Sequence, residues 1–153
     1  MANTYTSNYI HLIFVVKFRQ SLIQPAWEEE LYKYITGIIT NRGNKLFVIN
    51  GMPDHVHICF DLNPAVSLSD LARDIKTNST KWINKKNHNN SKFQWQQGFA
   101  AFSYSKSQLP RVAGYIKRQK EHHAKATFDM EYRAFLDKYE VNYNVRFILR
   151  SPD

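Results

Sequence analysis

Between Tyr9 and Phe18 the chain reads YIHLIFVVKF, with apolar residues in both alternating sets of positions. Side chains of an extended strand point alternately to opposite faces, so a segment apolar on both sets reads as a central strand buried on both sides. The rest of the chain must then supply flanking strands and the layers that cover them. The segment ends in charge, at Lys17 and Arg19.

From Pro25 to about Thr40, the apolar residues Trp27, Leu31, Tyr34, Ile35 and Ile38 recur at helical spacing. Pro25 sits in the first turn, and Glu28, Glu29 and Glu30 lie near the positive end of the dipole. Gly43 marks the exit. Lys45 to Ile49 and His55 to Asp61 read as two strands of a hairpin joined by the turn-rich NGMPD. Ser67 and Asp70 make a capping-box pattern that opens a second helix through Leu68, Leu71, Ile75 and Trp82. The polar KKNHNNSK that follows reads as a loop. Phe99 to Tyr104 is a fourth strand, after which Ser107 and Pro110 open a third helix with Leu109, Val112, Ala113 and Ile116 on its apolar side. A last helix runs from Phe128 to about Tyr139, with Phe128, Tyr132, Phe135, Leu136 and Tyr139 in register. The order β-α-β-β-α-β predicts an α+β fold: a ferredoxin-like or RRM-like antiparallel sheet with helices on one face and additional C-terminal helices. Many nucleic-acid binders share that topology, but topology does not assign a function.

The 153 residues, 43% of them hydrophobic, are expected to form one domain over 1–153 with a core of ordinary size. A formal charge of +8 makes polyanions the natural partners, because lysines and arginines that neutralise phosphates release condensed counterions. No apolar run approaches the roughly 20 residues that span a bilayer, and the opening MANTYTSNYI has neither a basic start nor a small-residue cleavage site. A cytoplasmic protein is expected. With a single cysteine, Cys59, no internal disulfide can form, and a four-thiolate zinc site is excluded. Any metal has to be held by His, carboxylate or amide groups.

Within the strand HVHICFD, His55, His57, Cys59 and Asp61 share one face. Two imidazoles two residues apart suit neighbouring ligands of one divalent ion if a third group arrives from elsewhere. They equally suit a histidine capping the hairpin end beside one packed on an aromatic. In the third helix Tyr115 and Gln119 are four residues apart and lie one turn apart on a ridge bordering the apolar stripe. A tyrosine there serves as a half-buried packing residue or as a nucleophile. Glu121, His122 and His123 fall at that helix's C-terminal end, where histidine is structurally comfortable. Cys59 reads as a small buried residue, and His11 as a satisfied core histidine.

Taken together, VVKFRQSLI after the first strand, PDHVHI, WQQGFAAFSYSKSQ, and YIKRQKEHH followed by a Phe and an acidic helix resemble one family in the right order over nearly the whole chain. The chain resembles the single-tyrosine transposases of the HUH endonuclease superfamily. These are small insertion-sequence enzymes acting on single-stranded DNA, with relatives associated with repetitive extragenic palindromes. The resemblance implies that His55 and His57 are metal ligands, that Tyr115 is the catalytic nucleophile, and that Gln119 completes the metal site. It implies a divalent cofactor, Mg2+ or Mn2+, and metal-dependent cleavage and rejoining of single-stranded DNA through a 5′-phosphotyrosine intermediate. The partners it implies are DNA with hairpin structure and a second copy of the chain, in a homodimer with composite active sites and no membrane. The strand Phe99 to Tyr104 and the two terminal segments are candidates for the subunit contact. Lys17, Arg19, Arg73, Lys76, Lys117 and Arg118 are candidates for gripping the DNA. Alternatives are a domesticated relative processing chromosomal palindromes, a hydrolase in which water attacks, and a non-catalytic nucleic-acid-binding module. An RRM-type binder would place aromatics where HVHICF presents histidines.

Overall fold

The computed structural model describes residues 3–86, 92–122 and 127–143. Its strands are β1 (Tyr9–Val15), β2 (Lys45–Met52), β3 (His55–Asp61) and β4 (Ala100–Tyr104). Its helices are α1 (Glu28–Asn41), α2 (Leu68–Lys85), α3 (Leu109–Lys117), α4 (Gln119–His122) and α5 (Phe128–Lys138). The sheet runs β2-β3-β1-β4 with every pairing antiparallel, the ferredoxin-like order read from the sequence. Part of the loop KKNHNNSK, residues 87–91, lies outside the described residues.

β1 is central and buried on both sides, which requires cover on both sheet faces. On one face Ile10, Leu12 and Phe14 join Val56, Ile58 and Phe60 of β3 under Leu31, Ile35 and Ile39 of α1 and Leu71 and Ile75 of α2. The appended helices cover the other face. There Ile13, Val15, Ala100 and Phe102 meet Phe128, Tyr132 and Leu136 of α5, and Val48 and Cys59 meet Ile116 of α3. The molecule thus has three layers, and the histidine face of β3 lies inside it.

Local chemistry moves several boundaries. Trp27, at φ −132°, is the N-cap of α1, so Pro25 belongs to the turn before the helix. Gly43, at φ +78°, follows the end of α1 in the left-handed conformation that glycine adopts without strain. Ser67 caps α2, its hydroxyl accepting from Asp70 N. Ser105 rather than Ser107 opens the third helical segment, in a capping box with Gln108 that leads through a short turn into α3.

Two features of β2 set up the site. Leu46 pairs with Phe60 but Val48 pairs with Cys59, leaving Phe47 as an extra residue in a bulge. Phe47 and Val48 therefore both contact the α3 side, Ile49 returns to the α1–α2 side, and Asn50 faces the same way as its partner His57. The strand then continues to Met52, so only Pro53 and Asp54 form the turn expected to span NGMPD. This tight closure needs Gly51, where a Cβ would lie 2.2 Å from the carbonyl oxygen of His55.

Candidate metal and nucleophile site

His55 and His57 emerge from β3 towards the α3–α5 layer and are fully buried. Each ring is held from behind. His55 Nδ1 lies 2.7 Å from Asp54 Oδ1, and His57 Nδ1 lies 2.7 Å from His11 Nε2. His11 and His57 come from adjacent strands, with His11 opposite Cys59 and His57 opposite Ile13, so they are diagonal neighbours. Desolvation, reinforced by His57, holds the His11 pKa well below its ordinary value, against the opposing pull of Glu131. His11 is therefore neutral beside its neighbour. With both Nδ1 atoms engaged, both Nε2 atoms point to one place.

Glu131 of α5 occupies that place, and sequence reasoning missed it. Its Oε1 lies 2.8 Å from His57 Nε2 and 3.9 Å from His55 Nε2, and its carboxylate is almost fully buried. His55, His57 and Glu131 offer ligand atoms all within 4.8 Å of one another. Phe128, one turn earlier in α5, stacks on His55 with ring centroids 3.8 Å apart. A signal for Glu131 was present: residues 128, 131, 132, 135 and 136 are the i, i+3, i+4, i+7, i+8 stripe of α5, and Glu131 is its one charged member.

Tyr115 reaches the site from α3. Its hydroxyl donates to Glu131 Oε2, its ring meets His57 edge-on at 6.1 Å, and His122 Nε2 lies 3.1 Å from the same carboxylate oxygen. Desolvation raises the Tyr115 pKa above its ordinary value, and the hydrogen bond and charge of Glu131 raise it further, with Gln119 opposing. Gln119 is fully buried, its Oε1 3.3 Å from His55 Nε2. It does not follow Tyr115 on one continuous helix. Arg118, at φ −96° and ψ 23°, interrupts the helix, and Asn50 Nδ2 donates to the carbonyls of Ile116 and Lys117 at 3.0 and 3.1 Å. Lys120 Nζ, bonded to the Gly51 carbonyl and Glu28, ties the next turn to the hairpin. The break turns Gln119 inward.

One chain thus brings His55, His57, Gln119 and Tyr115 together and adds Glu131. Two imidazoles, a carboxylate and an amide oxygen form a donor set suited to a divalent ion, with no thiolate among them. Cys59 lies apart from it, its Sγ 2.8 Å from the Tyr104 hydroxyl. Glu121 is exposed, and His123 lies outside the described residues.

The six basic candidates do not form one patch. Lys117 and Arg118 are exposed at the end of α3. Arg73 pairs with Asp70 at 3.1 Å on the outside of α2. Lys17 and Lys76 line a groove of about 830 Å³ beside α2, with Arg19 in the adjoining turn. β4, a candidate subunit contact, is an edge strand, while residues 1–2 and 144–153 lie outside the described residues. Among the described residues no helix is long and apolar enough to cross a membrane.

A family model for IS200-like transposases matches residues 4–119. The ISDra2 transposase TnpA of Deinococcus radiodurans is 27% identical over 71 residues, 46% of this chain and 51% of that protein, so the match spans about half the relative's length. Two solved structures share the fold, each with a TM-score of 0.62. One is a candidate transposase from Deinococcus radiodurans, 21% identical, the match covering 78% of this chain and 96% of that one. The other is a REP-associated tyrosine transposase bound to a REP hairpin, 16% identical, covering 82% and 74%.

Proposed function

Because the chain belongs to the IS200-like transposases, the single-tyrosine members of the HUH superfamily, we propose that it cleaves and rejoins single-stranded DNA next to a hairpin, with Tyr115 as nucleophile. One observation carries this reading: the Tyr115 hydroxyl and the Nε2 atoms of His55 and His57 converge on the single buried carboxylate of Glu131. A nucleophile and a set of metal-ligand atoms meet at one point, as transfer of a phosphoryl group requires.

We assign the divalent ion, Mg2+ or Mn2+, to His55 and His57, with Glu131 and Gln119 as oxygen donors. When bound there, it supplies Lewis-acid polarisation of a non-bridging phosphate oxygen. The chain's own residues do the rest. Asp54 and His11 hold the imidazoles so that both Nε2 atoms face the phosphate site. Tyr115 attacks phosphorus in line with the leaving 3′-oxygen. The Tyr Oη–P bond forms and the P–O3′ bond breaks. The phenol loses its proton and the leaving oxygen gains one, giving a 5′-phosphotyrosine and a free 3′-OH. That linkage keeps the phosphodiester bond energy, so attack by another 3′-OH rejoins DNA without a nucleotide cofactor.

The likeness to a relative bound to a REP hairpin supports hairpin DNA as the substrate class, whether from a mobile element or a chromosomal palindrome. A homodimer belongs to the same reading. In the described chain, Tyr115 and the histidines come from one protomer, and sedimentation of the purified protein measures the assembly.

The test mixes purified protein with single-stranded oligonucleotides from both flanks of its gene, with Mg2+ or Mn2+ and a chelator control. A denaturant-resistant adduct is expected that needs metal and vanishes in Tyr115→Phe and His57→Ala. Tyr115→Phe is expected to retain DNA binding. An adduct surviving in Tyr115→Phe overturns the nucleophile assignment, and hydrolysis without an adduct favours attack by water.

A further inference from the structure

Apart from the metal site, the described residues form a basic groove of about 830 Å³ beside α2. Lys17, Lys76 and Lys81 line it, and no carboxylate does. No Asp or Glu oxygen among the described residues pairs with these three lysines, whereas Arg42, Arg73, Lys86, Lys120 and Arg133 each have an acidic partner. Its remaining wall is rich in hydrogen-bonding side chains, including Gln94 and Gln96. Lys17 Nζ donates to Gln94 Oε1 at 3.2 Å and Lys76 Nζ to backbone carbonyls, neutral acceptors that leave the positive charge of the groove available to an anion.

The backbone that forms the groove is strained. Phe18 and Arg19 are consecutive non-glycine residues at φ +59° and +53°. Non-glycine residues persist in this region only where the surrounding structure imposes it. Here it does: Lys17 N donates to Gln94 O at 2.9 Å, Arg19 N to Val16 O at 2.8 Å and Ile23 N to Pro53 O at 3.0 Å. The turn places Lys17 and Phe18 on the groove. Lys76 fixes the opposite wall, its Nζ donating to the carbonyls of Gln96 and Gly98 at 2.7 and 2.8 Å. Burial lowers its pKa from the ordinary lysine value.

Backbone hydrogen bonds tie the groove's end of β1 to the start of the strand that carries the histidines, while its α2 wall lies on the sheet face opposite them. Val16 N donates to Asp54 O at 2.9 Å, and Asp54 is the residue that holds His55. Val15 is opposite His55 in the sheet, and Gln96 N donates to Val15 O at 2.7 Å. Lys17 follows Val15, the residue opposite His55, by two positions and opens the turn after β1.

Resting on the reading of the chain as a single-strand transposase, we propose that this groove holds the sugar-phosphate backbone of the unpaired DNA flanking the scissile phosphate, with Lys17 and Lys81 on successive phosphates. A concave channel with positive walls tracks one strand. A duplex reader instead presents a protruding helix or ribbon to a groove of the DNA. Lys76 positions the wall, so its removal is a folding experiment and is left out of the test.

The test measures binding by fluorescence anisotropy against NaCl concentration, using a hairpin oligonucleotide with an unpaired tail of about ten nucleotides and the same hairpin without a tail. The proteins are the parent, Lys17→Gln/Lys81→Gln, and the charge-matched control Lys45→Gln/Lys138→Gln, whose sites lie outside the groove. Each lost phosphate contact flattens the slope of log K against log salt by about 0.7, so the groove variant should lose about 1.4 on the tailed DNA. It should lose nothing on the tailless hairpin, and the control should match the parent. Equal slopes for parent and groove variant, equal losses in the control, or equal losses on both DNAs overturn the proposal. Repeating the titrations in Tyr115→Phe and scoring the parent for adduct separates the two readings. An adduct with unchanged slopes removes the groove and leaves the chemistry. A slope loss without any adduct removes the chemistry and leaves the groove.

Discussion

His11 Nε2 and His57 Nδ1 lie 2.7 Å apart across the β1–β3 pair, a ring-to-ring contact buried between the central strands and α5. In the proposed metal site this contact would orient His57 and favour the tautomer that leaves Nε2 for the ion. His11→Ala is therefore expected to weaken Mn2+ binding by about 10–100-fold, the usual effect of removing such a support. Calorimetric titration of the folded variant measures this. An unchanged affinity would make His11 a packing residue only.

Glu131 and Gln119 both approach His55 Nε2, but the carboxylate carries charge and also meets His57 at 2.8 Å. Glu131→Ala is expected to reduce Mn2+ affinity by more than Gln119→Ala does, and by at least about tenfold. The same titration ranks the two. The reverse order would assign the third ligand to Gln119.

Tyr115 titrates above an ordinary tyrosine because of burial and the neighbouring Glu131 carboxylate. A raised pKa favours the neutral phenol, so the phenolate is scarce at neutral pH and grows about tenfold per pH unit while pH stays below the pKa. Adduct formation at saturating metal is accordingly expected to rise with unit slope in log rate between about pH 7 and 9. A flat single-turnover profile over that range would show that proton loss from Tyr115 does not limit the step.

Gly51→Ala places a methyl group against the carbonyl of His55, at a position fixed by β2–β3 pairing. Overpacking of this kind costs about 1–3 kcal/mol, measurable by urea unfolding. Because the atom displaced belongs to His55, metal affinity should fall as well. Parent-like stability would mean that the hairpin relaxes at no cost.

Much of this arrangement was legible in the chain because it follows local periodicity. Alternation along HVHICFD put His55 and His57 on one face, and helical spacing outlined α1, α2, α3 and α5. The parts that escaped are tertiary. Nothing local to Tyr115 announces that Asn50, far away in β2, donates to the carbonyls at the end of its helix, where the break turns Gln119 inward. His11 read as a core histidine because its partner lies on another strand. Lys81 and Gln94 became groove residues only when α2 and the segment before β4 met the turn after β1.

The extra residue at Phe47 lets one strand obey two incompatible countings. Counted from Leu46 by strict alternation, position 50 would face α1 and α2. Counted back from the turn, it has to stand beside His57. The bulge is the joint where the phase slips by one, so the half of β2 that serves the core and the half that serves the site can each keep their own parity. Were Phe47 drawn into the ladder with no residue removed, strict alternation would turn Asn50 away from the tyrosine helix, whereas deleting Phe47 would leave Asn50 beside His57.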